Sequence, residues 1–262
     1  MRGLVACLAA ALAWPAAAEV PRADVVILGE VHDNPAHHAW QAEVVADLAP
    51  TALVFEMLLP EQAAAVTPEV RPDAEALEAA LGWEVRGWPD FAMYHPIFTA
   101  APQAAVVGAD VPREAVRAAM EAGAAAQFAA VFDEDPAPFG LDVALPAGQQ
   151  SAREAMQARA HCDALPEALL PGMVEAQRLR DAALARAALR AHADHGGPVV
   201  VITGNGHARS DWGVPSMLAL AAPDLSVFAA GQLEQAAGPD SPFDLVRVTA
   251  PADRDDPCAA FH

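Results

Sequence analysis

The sequence predicts an α/β protein with a mainly parallel sheet, flanking helices and a smaller inserted all-helical subdomain. Three observations carry that expectation. Apolar, β-branched runs of strand length alternate with segments of helical spacing. Most of these runs end on a glycine, an acidic residue or a glycine-histidine turn. Between the third and fourth runs lie about 90 residues without a convincing strand, which is too long for a single crossover.

The elements follow in order. Asp24 to Gly29 is a continuous β-branched run ending at glycine, the pattern of a strand buried on both faces. Pro35 to Leu48 has helical spacing, with Asn34 as N-cap and Pro35 in the first turn. Ala52 to Phe55 is the second strand and Ala74 to Leu81 a helix. Asp90 to Ala101 is mostly helical or irregular and rich in aromatics. Ala104 to Ala109, Pro198 to Thr203 and Leu225 to Ala229 are the third, fourth and fifth strands, and Leu245 to Val248 is a sixth at an edge. The helix-like stretches Arg113 to Ala130, Gly148 to Cys162 and Pro171 to Ala193 fill the long interval. The expected division is a sheet domain over 19–112 and 196–262, interrupted by a helical insertion over 113–195.

Residues 1–18 read as a cleavable export signal. Met1-Arg2 gives the positive end, Leu4 to Trp14 an apolar run too short to span a membrane, and Ala16 to Ala18 a small-residue cleavage site. Cys7 lies too near the start to serve as a lipid-anchor cysteine behind an apolar stretch. The expected location is therefore the periplasm or the medium, with no transmembrane segment in the mature chain. Signal removal leaves Cys162 and Cys258. In an oxidising compartment they form one disulfide tying the acidic C-terminal tail to the middle of the chain, the alternative being two free thiols.

The formal net charge of -20, from 35 acidic and 15 basic residues, repels phosphate backbones and anionic lipid. Nucleic acid is accordingly excluded as a partner.

In an open parallel sheet, ligands bind outside the carboxyl ends of the strands. Those ends carry Glu30 and His32, Glu56, Asp110, and the turn Gly204-Asn205-Gly206-His207 with Arg209. Histidine and carboxylate together offer two chemistries. Glu30, His32, Glu56 and His207 could ligate a divalent metal (zinc, manganese or cobalt) with an open position. With such a metal they outline a metal-dependent hydrolase acting on a peptide or ester, with Arg209 stabilising developing negative charge, and without metal they could still hold a substrate or act as acid and base. His37 and His38 open a helix and are expected to face solvent or cap loops. Gln177 and Asp181, four apart, share one face of a long helix, either reaching the sheet edge or pairing at the surface with Arg178 or Arg180. Trp83, Trp88, Phe91, Met93, Tyr94 and Phe98 form the densest aromatic patch, either as core or as the wall of a flat apolar ligand. In the second case Tyr94, the only tyrosine, or His95 would supply a donor of the kind found on haem iron.

These residues resemble a known family. Ile27-Leu28-Gly29-Glu30-Val31-His32-Asp33-Asn34-Pro35, followed by His37-His38 and Gln41, is similar to the signature of ChaN-like haem-binding uptake proteins. So are Val54 to Met57, Trp88 through Tyr94 to Ile97, Met173 to Gln177 with Arg180-Asp181, and Gly204 to Arg209 with Asp211 to Pro215. The resemblance implies a parallel sheet with flanking helices and a helical part. It implies haem binding tied to iron acquisition, in a homodimer holding haem at its interface through tyrosine and histidine. Tyr94, His95, Gln177, Asp181 and Asp211 are the candidate haem-contacting residues it implies, with the histidine ligand left open. The wider superfamily includes Tiki proteases, TraB proteins and erythromycin esterases. In its metalloprotease members the positions matching Glu30, Glu56, Gly204 and His207 are associated with metal.

Overall fold

A computed structural model describes residues 20–256 and 258–259. The expected signal segment, including Cys7, lies outside the described residues. Six strands form one sheet in the order β3-β2-β4-β1-β5-β6, and every pairing is parallel. They are β1 (Val25–Glu30), β2 (Ala52–Phe55), β3 (Ala105–Gly108), β4 (Val199–Gly204), β5 (Val227–Leu233) and β6 (Leu245–Val248). The helices are α1 (Pro35–Leu48), α2 (Pro60–Ala63), α3 (Ala74–Leu81), α4 (Trp83–Arg86) and α5 (Phe91–Ala100), then α6 (Arg113–Ala122), α7 (Ala124–Phe132), α8 (Ala147–Ala160), α9 (Leu170–His195) and α10 (Val214–Ala221).

Side chains alternate across a strand, and here both faces are buried. Val25, Ile27, Val54 and Val201 face one apolar layer with Ala119 of α6, Phe128 of α7, Leu179 and Ala182 of α9, and Leu218 of α10. Val26, Leu28, Phe55 and Ile202 face the other, with Trp40 and Val45 of α1, Leu77 of α3, Trp83 of α4, and Phe91, Tyr94 and Phe98 of α5. Phe55 and Phe98 stack at 4.3 Å between ring centroids. Trp83 lies 4.8 Å from Tyr94 and 5.2 Å from Phe91. The aromatic patch is therefore largely core. Of its rings, Trp88 is only half-buried and sits 5.2 Å from the ring of His32.

The long interval between β3 and β4 is helical, but its main helix, α9, shares one apolar layer with the strands rather than building a core of its own. The stretch read as one helix over 113–130 divides at Gly123, whose φ of +86° a helix cannot continue through. Helices α2, α4 and α10 are additional to the sequence reading. Cys162 and Cys258 are joined by a disulfide. Among the described residues no helix is long and apolar enough to cross a membrane.

From β1 the chain crosses to β2 on one side, and from β4 it crosses to β5 on the other. The switch point of the sheet therefore falls between the paired ends of β1 and β4, where Glu30 lies opposite Gly204.

Candidate functional site: a polar floor under a methionine-lined cavity

The floor of the site is built at that switch point. Glu30, the last residue of β1, is 2 % exposed and held by three neighbours. Tyr94 donates its hydroxyl to Oε1 at 2.6 Å, His32 donates Nδ1–H to the same oxygen at 2.8 Å, and Gln41 donates to Oε2 at 2.8 Å. His32 reaches back because, two residues on, it projects to the same side as Glu30. Burial, together with the charge of Glu30, pushes the Tyr94 hydroxyl far above its ordinary pKa, so it remains a proton donor.

Glu56, directly after β2, is 3 % exposed. Its Oε2 accepts from the Thr203 hydroxyl at 2.6 Å and the Gly204 amide at 2.7 Å, and its Oε1 accepts from Arg180 at 2.8 Å. His207 approaches Oε1 with Nε2 at 3.4 Å and donates Nδ1–H to Asp181 at 2.6 Å. Gln177 lies 3.0 Å from the same Nδ1. Helix α9 thus delivers Gln177, Arg180 and Asp181 to the sheet edge, the first of the two readings open from sequence.

Burial alone would depress the His207 imidazole, but the Glu56 and Asp181 carboxylates overcome it and raise it to about 9. Burial also opposes the Glu56 charge, yet His207, His32 and Arg180 hold that carboxyl well below its ordinary value. At Asp181 the balance tips the other way, and burial raises the carboxyl despite the imidazolium beside it. The 2.6 Å contact and the raised His207 pKa both favour the ion pair. His32 shows the His207 pattern, with Glu56 and Glu30 outweighing its burial.

Gly204 leaves room for the His32 ring. A Cβ there would stand 2.8 Å from His32 Nε2 and 3.6 Å from Glu56 Oε2.

Above the floor lies a cavity of about 600 Å³, within the range of small-molecule sites. Glu30, His32, Glu56, Gly204 and His207 form its polar side. Met120 of α6, Met156 of α8, Met173 of α9 and His161 at the end of α8 form the other. His161 donates Nδ1–H to the Gln157 carbonyl at 2.8 Å, which leaves Nε2 as the ring's lone pair. His161 and the three methionines were not singled out from sequence. The signal was present only as helical residues whose convergence depends on how α6, α8 and α9 pack.

Several expected residues lie elsewhere. Tyr94 is fully buried behind Glu30 and does not line the cavity. His95 points away from it and contacts the Arg71 carbonyl at 3.0 Å. Arg209 pairs with the exposed Asp211 at 2.6 Å and stacks on Trp212 at 3.9 Å, so neither Arg209 nor Asp211 reaches the cavity. His37 and His38 are fully buried rather than solvent-facing. His37 accepts from the Val31 amide and bonds Thr249, while His38 bonds the His32 carbonyl, so both shape the loop that presents His32. Burial lowers the His37 imidazole to about 4, which keeps it neutral. Glu30, His32, Glu56 and His207 do converge, but the carboxylate oxygens accept from neighbouring donors and both His207 nitrogens face carboxylates. Among the described residues no group of three or more His, Cys, Asp and Glu is placed to hold a metal ion. The divalent-metal reading gains no support from this geometry.

A doubly covered parallel sheet with a buried His/carboxylate network at its switch point, roofed by an apolar cavity, defines a ligand-binding α/β protein. Residues 16–218 match the profile of the family described as haem-binding uptake, Tiki superfamily, ChaN, and the chain belongs to that family. No curated sequence matches it. Among solved structures it is similar to one described as cofacial heme binding to ChaN of Campylobacter jejuni. That match has 17% identity and a TM-score of 0.60, covering 80% of this chain and 81% of that one. Looser similarity extends to the type III effector HopBA1, with 17% identity, coverage of 70% and 67%, and a TM-score of 0.36. A succinoglycan biosynthesis protein is similar at 12% identity, with coverage of 80% and 66% and a TM-score of 0.39.

Proposed function

We propose that this protein binds haem in an oxidising compartment outside the cytoplasm, in the service of haem or iron uptake, and that the methionine-lined cavity is the haem cleft. One observation carries the reading. Two imidazoles, His32 and His161, line the same cavity with their Nδ1 atoms already engaged by Glu30 and Gln157. An imidazole tied at one nitrogen offers the other to a metal in a fixed orientation. Thioethers supply the soft apolar surface a flat macrocycle needs. Family membership supports the same ligand. The disulfide supports the compartment.

In this reading the iron ligand comes from His32 or His161. Tyr94 acts from behind by fixing Glu30, which in turn orients His32, because its hydroxyl would have to leave the core to reach iron.

The test is a haem titration of the purified mature protein followed by absorbance. A saturable Soret shift is expected, altered in His161→Ala or His32→Ala and retained in His95→Ala. Sedimentation of the same samples reports whether loading pairs two copies. A protein that produces no saturable Soret shift removes the reading.

A further inference from the structure

We propose that the helical roof of the cavity is a thioether site for a soft monovalent cation of the copper(I) class, held by Met120, Met156, Met173 and His161. The inference goes beyond the haem reading and does not depend on it, although the two share one cavity.

Every apolar side chain larger than valine on the cavity wall is a methionine. The chain holds seven methionines, and three of them meet here from three different helices. Met57, Met93 and Met217 pack instead within the two apolar layers of the core. The three on the roof are half-buried and line the cavity. Bulk alone does not explain the choice, since leucine of similar volume would wall an apolar cavity as well. What methionine adds is a polarisable sulfur.

Packing brings these donors together. A Cβ on Gly172 would stand 2.8 Å from the Met120 carbonyl oxygen and 3.0 Å from the Met120 Cβ. Helices α6 and α9 therefore touch where Met120 and Met173 leave them. Helix α8 packs along α9 and carries Met156, with His161 directly after its last residue. The disulfide at Cys162 anchors the residue next to His161. His161 donates Nδ1–H to the Gln157 carbonyl, which fixes its tautomer and leaves Nε2 as the ligand atom.

The donor set selects the cation. Three thioethers and one neutral imidazole are soft or borderline and carry no charge, which favours copper(I) over hard dications that prefer oxygen. The nearby carboxylates of Glu30 and Glu56 already accept from donors of the floor. Cys162 and Cys258 are spent in the disulfide. In a compartment that oxidises thiols, thioether is the soft sulfur left among the described residues.

The test is an anaerobic titration of the mature, haem-free protein with copper(I), kept reduced by ascorbate and competed with bicinchoninate. A single equivalent should bind per chain, and X-ray absorption at the copper edge should show sulfur neighbours. Met120→Leu, Met156→Leu and Met173→Leu keep the apolar volume and should each weaken copper(I) binding at least about tenfold. Met93→Leu, in the core, should change nothing. Circular dichroism checks that each variant is folded, and silver(I), which is soft and holds one oxidation state, should compete for the same site. Binding that survives in the triple leucine variant, or a copper neighbour shell without sulfur, would overturn the proposal. So would zinc(II) or manganese(II) bound as tightly as copper(I), which would move the metal to the carboxylates and histidines at the strand ends. Absence of copper(I) binding would overturn it too and leave the haem titration untouched. A haem titration without a Soret shift would leave a measured copper(I) site standing.

Discussion

Replacing Glu56 by glutamine keeps the shape of the site and removes one charge, which makes it a direct probe of the buried network. The amide oxygen can still accept from Thr203 and Gly204, but its NH2 then faces Arg180 and His207. At 3.4 Å and an effective dielectric constant near 20, the lost attraction between Glu56 and His207 is about 5 kcal/mol, roughly 3.5 pKa units. His207 should therefore fall from about 9 to below 7, because its burial is then opposed by Asp181 alone. The assay is an NMR titration of the imidazole carbons and nitrogens in wild type and Glu56→Gln. Circular dichroism checks that the fold is retained. The stability profile should change with it. A folded His207 pKa above the unfolded value of 6.5 contributes stability that is fully present below pH 6.5 and lost as pH rises through about 9. A shift of that size corresponds to roughly 3 kcal/mol. The depressed Glu56 carboxyl contributes in the opposite sense, present above its unfolded value and lost as pH falls through its lowered folded value. If His207 stays above pH 8 in a folded Glu56→Gln protein, the network is not held by this charge and the reasoning fails.

Tyr94→Phe should cost about 1.5–3 kcal/mol, the range for a hydrogen bond to a charged group, and lower Tm by roughly 5 °C. Its Soret spectrum should stay unchanged, and loss of the spectrum would restore Tyr94 as the iron ligand. Gly204→Ala should displace His32 and weaken haem binding at least about tenfold, read by titration, because the new Cβ meets Nε2 at 2.8 Å. The double variant Cys162→Ser/Cys258→Ser opens a loop of 96 residues and should lose about 2–4 kcal/mol in denaturant unfolding. Haem affinity should also fall below the raised pKa of His32 if that imidazole is the ligand, since protonation removes its lone pair.

The sheet was legible because its central strands β1, β2 and β4 are buried on both faces and so read as apolar runs, each closed by a polar residue. The switch-point residues were legible for the same reason: Glu30, Glu56 and His207 lie at or just beyond strand ends, where the chain order alone gives their position. Residues on helices were harder to place. Tyr94 and His95 are adjacent in sequence yet reach different partners from α5, one Glu30 and the other the Arg71 carbonyl. His37 and His38 were expected to face solvent or cap loops, and they do the second, because the C-terminal segment folds over that loop and Thr249 closes it. The methionine roof draws on α6, α8 and α9 together, and no local pattern encodes which helix faces meet.

The disulfide follows His161 by one residue and runs to the end of a segment that also braces the opposite side of the cavity. Arg254 holds Asp33, and Asn34 bonds the Ala250 carbonyl. Roof and floor are therefore strung on a single cord, knotted at Cys162 and Cys258. A roof helix that swings outward must pull on the loop that presents His32. Oxidation is thus a finishing step for the cavity as much as a brace for the fold, and the reduced chain carries the same side chains without the tether that sets how far they can part.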